Sequence, residues 1–223
     1  GFTFATAMKA FLRADPDIIM VGEMRDKDTT AIGIEASLTG HLVFATLHTN
    51  SAPESIIRLL DMGMDPFNFA DALLGVLAQR LAKRLCKCKQ PYTPPAEEVK
   101  HFITEYCDEL KNTDEFKKDL NAGYKKVFDR FQKDYGFGKP EFVMYKPVGC
   151  DACNGSGYKG RVGLHELLVG TDPMKKLIQE HARVAEMFAC ALAEGMLTLK
   201  MDGMEKVLQG ITDMAQVRAV CIK

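Results

Sequence analysis

Residues 15–50 constrain the fold most, because two short apolar runs flank a helical stretch there. Residues 18–21 are apolar and partly β-branched, which is typical of a buried strand. Asp26 or Asp28 can cap a helix after that strand, and residues 42–47 form the second apolar run. Two strands joined by one helix form a βαβ unit, so we expect the two strands to be parallel.

Two residues suited to acid–base chemistry follow these strands. Glu23 comes just after the first strand and His48 just after the second. Ligands of open parallel sheets bind at the carboxyl ends of the strands, so both side chains should point into one crevice. His41 opens the second strand and should lie on the order of 20 Å away, at the opposite edge. The sequence therefore predicts a site that contains Glu23 and His48 but not His41.

The motifs around both residues resemble a known family. The stretch IIMVGEMRD followed by LTGHLVFATLHTN is similar to the Walker B and histidine boxes of the bacterial secretion ATPases, the motors of type II secretion and type IV pilus assembly. The stretches APESIIRLLDMGMDPF and LAQRLAKRLC continue the likeness. The resemblance covers essentially the whole chain, with one long insertion. It implies an α/β fold that contains the second part of a RecA-like P-loop NTPase sheet.

The resemblance also implies roles for several side chains. Glu23 would orient or deprotonate the attacking water, or hold Mg²⁺ through water. His48 would sense the γ-phosphate of ATP through its ring N–H. Arg13 and Arg25 would reach a neighbouring subunit's phosphates, and Thr49 would add a polar contact. Each residue also has a structural reading, as a helix cap or a surface salt bridge, which the sequence leaves open.

A phosphate-binding P-loop, GxxxxGK[ST], is missing from the sequence. The nearest pattern is GSGYKG at residues 155–160, but Arg161 and Val162 stand where Lys and Ser or Thr are needed. That segment follows a cysteine pair, and we interpret it as a turn beside a metal site. In the resembling family the P-loop lies upstream. We therefore expect a fragment that neither binds ATP tightly nor hydrolyses it alone.

The cysteines predict a metal site. The chain has seven of them, and four form two close pairs: Cys86, Cys88, Cys150 and Cys153. They resemble the tetracysteine zinc site of the family, a closed structural type. The first pair is C-x-C where C-x₂-C is usual, and the gap between the pairs is long. His101 or Cys107 could replace one ligand, and a site without metal is the other reading. Cys190 and Cys221 are expected to be buried in helices.

Composition argues against a nucleic-acid-binding protein and against a membrane-spanning one. A net charge of −1 gives no support for nucleic-acid binding through bulk charge. The run KRLCKCK is locally basic but has no interleaved aromatic residues. No apolar run reaches the roughly 18 residues needed to span a bilayer, and no signal peptide is apparent. We expect a soluble piece of a longer cytoplasmic protein.

Three regions are expected along the chain. Residues 1–85 would be the second part of the RecA-like domain, and residues 86–160 a metal-binding insertion with two or three helices. Residues 161–223 would form a C-terminal helical subdomain. Within the first region, Pro66 is expected to open one long helix through Arg84.

The resemblance then implies the function of the full-length protein. It would be a hexameric ATPase that uses ATP and Mg²⁺, binds Zn²⁺, and drives an inner-membrane platform protein from the cytoplasmic side. It would reach the membrane only through such partners and would not bind nucleic acid. A second hypothesis is a zinc-stapled protein-interaction module that binds the platform without catalysis. Retraction motors of this superfamily generally lack the tetracysteine insertion, which favours assembly.

Overall fold

The strand–helix–strand unit expected from residues 15–50 is present in the computed structural model of the chain, which describes residues 3–221. Strand β1 (Ile18–Val21) pairs in parallel with strand β2 (Leu42–Ala45), and helix α2 (Lys27–Leu38) connects them. The predicted parallel pairing is therefore confirmed, although β2 ends two residues earlier than expected.

One face of this strand pair forms a core with two helices. Asp26 begins α2 by accepting a hydrogen bond of 2.8 Å from the backbone N–H of Thr29. Helix α1 (Phe4–Leu12) is capped by Thr3 and packs on α2. Val43 of β2 packs against a core of buried apolar side chains from β1, the loop after it and both helices: Met8, Ile19, Val21, Met24, Ile32 and Ala36.

The opposite face of the strand pair is also apolar, but it is exposed. Ile18 and Met20 on β1 are 61% and 67% exposed, and Leu42 and Phe44 on β2 are 38% and 52% exposed. These residues lie side by side, since Ile18 is opposite Leu42 and Met20 is opposite Phe44. Parallel sheets are ordinarily covered on both faces. This face lacks such a cover within the described part of the chain.

The chain divides into two compact units. The first runs through Val76 and includes Leu168–Ala191, and the second consists of Leu77–Leu167 and the residues from Leu192 on. The boundaries expected after residues 85 and 160 rest on motifs, and they stay a prediction. None of the helices within residues 3–221 has the length and apolar character of a membrane span.

The first unit contains four further helices. They are α3 (Ala52–Asp61), α4 (Pro66–Ala72), α8 (Asp172–Gln179) and most of α9 (Val184–Ala193). Ser51 caps α3, and Pro53 lies in its first turn, where the missing backbone N–H of proline costs nothing. Helix α4 packs against both α2 and α8.

The prediction of one long helix from Pro66 to Arg84 is wrong. Helix α4 ends at Ala72, and strand β3 (Gly75–Leu85) follows. The leucines of this stretch fit helical spacing, but β3 pairs with strand β6 (Tyr158–Val169). Pairing with a strand more than seventy residues away in sequence overrides the local helical preference, as tertiary context commonly does.

The second unit combines short sheets with helices. Besides most of β3 and β6, it holds the antiparallel strands β4 (Gln90–Tyr92) and β5 (Met144–Lys146). Its helices are α5 (Ala96–Asp108), α6 (Asp114–Lys118), α7 (Leu120–Tyr135), α10 (Leu199–Leu208) and α11 (Met214–Val220). The expectation of two or three helices in the insertion is confirmed by α5, α6 and α7.

Aromatic rings form the core between α5 and α7. Phe131 is fully buried, and its ring centroid lies 4.8 Å from that of Tyr106 and 5.9 Å from that of Phe137. Phe102 lies 5.5 Å from Phe137 by the same measure. The two pairs made by Phe131 are edge-to-face, an arrangement that stabilises a core beyond the area that it buries.

Glu105 links α5 to α10 and α11. Arg218 donates to both of its carboxylate oxygens, at 3.1 and 2.6 Å, and Lys200 lies 3.1 Å away. The hydrogen bonds from Arg218 outweigh the effect of burial and, together with Lys200, lower the pKa of Glu105 to about 2. A carboxylate held this way stabilises the folded state when ionised.

We expect this carboxylate to make stability depend on acid pH. Its pKa is about 2 in the fold and ordinarily 4.5, so its contribution is present above pH 4.5 and is lost as the pH falls towards 2. Glu105→Gln should lower the free energy of unfolding by about 1–2 kcal/mol at neutral pH and reduce its acid dependence. Urea unfolding at several pH values measures both. Glu115→Gln breaks the exposed pair with Lys126 and should cost less than about 0.5 kcal/mol. Equal losses of unfolding free energy in the two variants would contradict the stabilising role assigned to the Glu105 carboxylate.

Candidate functional site

The loops that follow β1 and β2 are held together at the carboxyl end of the strand pair. The backbone N–H of Met24 donates to the carbonyl of Thr46 at 3.1 Å. The hydroxyl of Thr46 donates to the carbonyl of Gly22 at 2.5 Å. These bonds extend the pairing beyond the strands and fix the backbone on both sides of Glu23. Thr46 is therefore a residue that shapes this site, through its main chain and its hydroxyl.

Glu23 has partners on both of its carboxylate oxygens. Oε1 lies 3.1 Å from Nε2 of His48, and Oε2 lies 2.5 Å from Nε of Arg25. The Glu23 side chain is 21% exposed, while those of Arg25 and His48 are 76% and 81% exposed. Glu23 and His48 thus meet as the order of the elements predicts. The group presents a carboxylate, an imidazole and a guanidinium at one sheet edge, largely open to solvent.

The other residues predicted for this site lie around it. Thr49 accepts or donates a hydrogen bond of 2.6 Å with the hydroxyl of Ser55, and it donates to the carbonyl of Ser51 at 3.2 Å. Arg13 is exposed at the end of α1. Among the contacts of residues 3–221, none joins Thr49 or Arg13 to the Glu23 carboxylate. Their roles towards phosphate stay predictions.

His41 is engaged at the start of β2. Its Nδ1 lies 3.0 Å from the carbonyl of Ala36 and 3.3 Å from the hydroxyl of Thr39. It thus joins the end of α2 to the following strand, which is a structural role. The contacts of His41 agree with its exclusion from the Glu23 site.

Four cysteines form a second cluster, in the second unit. The Sγ atoms of Cys86, Cys88, Cys150 and Cys153 all lie within 4.8 Å of one another. Cys86 and Cys150 are 3.9 Å apart, as are Cys88 and Cys153, and Cys150 and Cys153 are 3.8 Å apart. A tetrahedral zinc site with bonds of about 2.3 Å has sulfur–sulfur edges of about 3.8 Å. The four thiols therefore fit a tetrahedral thiolate site.

The two cysteine pairs are brought together by β4 and β5. Cys88 comes shortly before β4 and Cys150 shortly after β5, and the strands pair with Gln90 opposite Lys146. The chain turns at Gly149, which has a φ of +112° and no room for a side chain, since a Cβ would lie 2.5 Å from the carbonyl oxygen of Gly155. The pairing of β4 with β5 brings the two cysteine pairs together across the long gap in sequence. With its C-x-C spacing, the first pair still places both thiols in the cluster.

Backbone donors make the cysteines unequal. The N–H groups of Cys150 and Gly157 point to Sγ of Cys153 at 3.1 and 3.2 Å. Burial opposes ionisation of Cys153, but these donors, together with hydrogen bonds from the Cys150 and Cys88 thiols, outweigh it and lower the pKa of the Cys153 thiol to about 6. Burial raises the pKa of Cys88 to about 11. Since thiolates are the form that ligates metal, the two backbone donors favour the ligating form of Cys153.

The two alternative ligands considered for this cluster lie outside it. His101 pairs with Glu105 at 3.8 Å, and Cys107 is fully buried in α5. Burial also raises the pKa of Cys107 to about 12. Among residues 3–221, the four paired cysteines are the group arranged for metal.

Known proteins resemble this chain over nearly all of its length. A family model described as "Type II/IV secretion system protein" matches residues 1–219. The chain belongs to this family. The chain is similar to the type IV pilus assembly ATPase PilB of Thermus thermophilus, 42% identical over all of this chain, and to the type II secretion system ATPase E of Vibrio cholerae, 40% identical over 98% of it. The chain spans 22% and 37% of the length of these two relatives.

Solved structures show the same fold. The ATPase DotB of Legionella pneumophila matches 97% of this chain, with a TM-score of 0.58 and 19% identity. The pilus retraction motor PilT with bound ADP matches the same share, with a TM-score of 0.57 and 23% identity. This chain covers 42% and 43% of those two chains. An α/β fold of this type is therefore shown.

Within this family fold, sequence reasoning missed one residue beside the Glu23 site. Ser55 is 4% exposed, and its hydroxyl bonds both Thr49 and the carbonyl of Ser51. It ties the segment after His48 to the first turn of α3. The spacing of four residues between Ser51 and Ser55 was the available signal, because a serine hydroxyl can bond the carbonyl four residues earlier.

Proposed function

We propose that this chain is the part of an ATP-hydrolysing motor that carries the catalytic carboxylate, Glu23. The observation that carries the proposal is the contact of 3.1 Å between Glu23 and His48 at the carboxyl edge of two parallel strands. Such edges are where α/β sheets bind ligands. Relatives over the whole chain are named as ATPases of type IV pilus assembly and type II secretion, and this supports the choice of reaction.

The side chains have distinct roles in this proposal. Glu23 orients or deprotonates the water that attacks the γ-phosphate, or holds Mg²⁺ through water. His48 offers a ring N–H towards the phosphate and leads through Thr49 into α3. Arg25 brings a positive charge beside the Glu23 carboxylate, and in this proposal Arg13 and Arg25 reach the phosphates bound by a neighbouring subunit. Mg²⁺ supplies neutralisation of charge on the phosphates when it is bound.

The nucleotide site is completed by a longer polypeptide in this proposal. The sequence has no GxxxxGK[ST] loop, and the relatives are much longer than this chain. The exposed face of Ile18, Met20, Leu42 and Phe44 would be covered there, within a RecA-like sheet. The 223 residues alone are then expected neither to bind ATP tightly nor to hydrolyse it.

The setting proposed for the whole protein follows from its relatives. It is a cytoplasmic hexamer that acts on an inner-membrane platform protein in secretion or pilus assembly. The names of the relatives support secretion and pilus assembly, and the partner and the hexamer extend the proposal. The cysteine cluster is a structural zinc site in this proposal. It joins the end of β3 to the turn after β5.

The proposal is tested by ATP turnover of the longer polypeptide, measured as phosphate release. Glu23→Gln keeps the size of the side chain and removes its charge, and it should lower kcat by on the order of a hundredfold or more, about 2.7 kcal/mol of barrier. Glu54→Gln is the matched control, because the Glu54 carboxylate accepts from the N–H of Asn50 at the start of α3 and, within residues 3–221, does not contact Glu23, Arg25 or His48. It should leave turnover within about twofold.

The other outcomes are equally decisive. Equal activity in the parent and Glu23→Gln would show that another residue is the catalytic carboxylate. An inactive parent that still retains a binding partner in a Glu23-independent way would favour the second candidate, a zinc-stapled interaction module. The geometry of the four cysteines is the observation that supports that candidate.

A further inference from the structure

The helical insertion carries an open cleft between α5 and α7, which we call the α5–α7 groove. Its volume is about 500 Å³, within the range of about 300–1,000 Å³ that is typical of ligand clefts. Its lining includes apolar and aromatic side chains and two lysines: Val99, Ile103, Tyr124, Phe128, Lys100 and Lys125. Glu23 and the four cysteines do not line this groove, so neither proposed site accounts for it.

The aromatic wall of the groove is fixed from behind. The ring centroid of Phe128 lies 5.9 Å from that of Phe137, and its edge is close to Gly138, where a Cβ would lie 2.9 Å from the ring. Tyr124 packs edge-on against Phe116, with ring centroids 6.0 Å apart. A wall held in this way does not have to be ordered when a partner binds, so less conformational entropy is lost.

The charges at the groove are of one sign. Lys100 and Lys125 are exposed, and no lining residue carries a negative charge. Neither lysine forms an ion pair within residues 3–221, whereas the neighbouring Lys126 is paired with Glu115 at 2.7 Å. The surface thus offers an apolar floor with two lysines beside it, one on each helix, neither of which is in an ion pair within residues 3–221.

We propose that the α5–α7 groove docks an amphipathic helical segment of a partner protein, with large apolar side chains facing the floor and carboxylates beside the two lysines. Helix-in-groove recognition uses apolar anchors spaced along one face of the bound helix. The flanking charges set orientation and selectivity more than affinity. An anionic membrane surface fits less well, because the floor is concave and two lysines contribute only about 1 kcal/mol each to such binding. This inference does not depend on ATP hydrolysis.

Two designed peptides test the proposal on the intact chain. Both have the same leucine and phenylalanine positions along one helical face, and the flanking residues are glutamate in one and lysine in the other. Each is titrated into isotope-labelled chain, to about 1 mM, while the backbone amide shifts are followed. The glutamate peptide should shift amides of α5 and α7 and bind at least about tenfold more tightly than the lysine peptide.

Charge-reversed variants make the test specific. Lys100→Glu combined with Lys125→Glu should invert the preference between the two peptides. Lys133→Glu reverses a charge on the same helix outside the lining and should leave the preference unchanged. The proposal is overturned if neither peptide binds, if both bind equally, or if the shifted amides lie outside α5 and α7. It is also overturned if phosphatidylglycerol vesicles bind the chain and displace the glutamate peptide through the same lysines.

Discussion

Cys153→Ser is expected to lower the free energy of unfolding of the second unit by about 3 kcal/mol or more and to abolish stoichiometric zinc binding. The proposed zinc holds together two segments that are distant in sequence, and Cys153 is the ligand with two backbone donors on its sulfur. A serine hydroxyl ligates zinc poorly, so the energy of metal binding is lost together with the crosslink. A strong chelator added to the parent should produce a similar loss.

Tyrosine fluorescence follows this unfolding selectively. The chain has six tyrosines and no tryptophan, and all six tyrosines lie between Leu77 and Leu167, within the second unit. Zinc content is measured by atomic absorption on the same samples. Cys221→Ala is the control, since Cys221 ends α11 outside the cluster and should cost less than about 1.5 kcal/mol. A parent that contains no zinc and is insensitive to chelator would contradict the metal assignment.

The sequence was sufficient for the strand–helix–strand unit and for the meeting of Glu23 with His48. Both depend on local signals, namely short apolar runs, a capping aspartate, and the rule that parallel strands end at one edge. It was not sufficient for β3. The pattern of Leu77 and Leu81 satisfies a helix as well as a strand, and only the pairing with β6 decides between them. Long-range pairing of this kind is not encoded in a local period.

For the cysteine cluster, too, the sequence predicted one part and the fold was needed for the rest. The four cysteines could be singled out by their spacing, but the choice between them and His101 or Cys107 required the fold. The pairing of β4 with β5 brings the C-x-C pair to the second pair, and it leaves His101 with Glu105. The contacts of Arg25 with Glu23, and of Ser55 with Thr49, likewise depend on loop geometry. Loops obey no hydrophobic period, so their contacts could not be predicted.

Phe131→Ala is expected to destabilise the second unit by about 3–5 kcal/mol. The ring is fully buried and lies against Phe102, Tyr106 and Phe137, with centroid distances of 6.4, 4.8 and 5.9 Å. The Arg130 guanidinium carbon lies 4.8 Å from the centroid of the same ring. Removing the Phe131 ring leaves a cavity that the surrounding rigid rings cannot close. The substitution also removes a stacking partner of Arg130, which binds Glu205. Urea unfolding followed by tyrosine fluorescence gives the loss directly.

Two companion variants separate cavity formation from a general effect on α7. Leu120→Ala changes a side chain on the same helix that is 45% exposed, and it should cost less than about 1 kcal/mol. Phe131→Leu fills much of the space and should cost less than Phe131→Ala. Similar small losses in all three variants would show that the rings between α5 and α7 do not form the core of the insertion. The wall of the α5–α7 groove would then have no rigid support, because Phe128 rests on Phe137, which itself packs on Phe131.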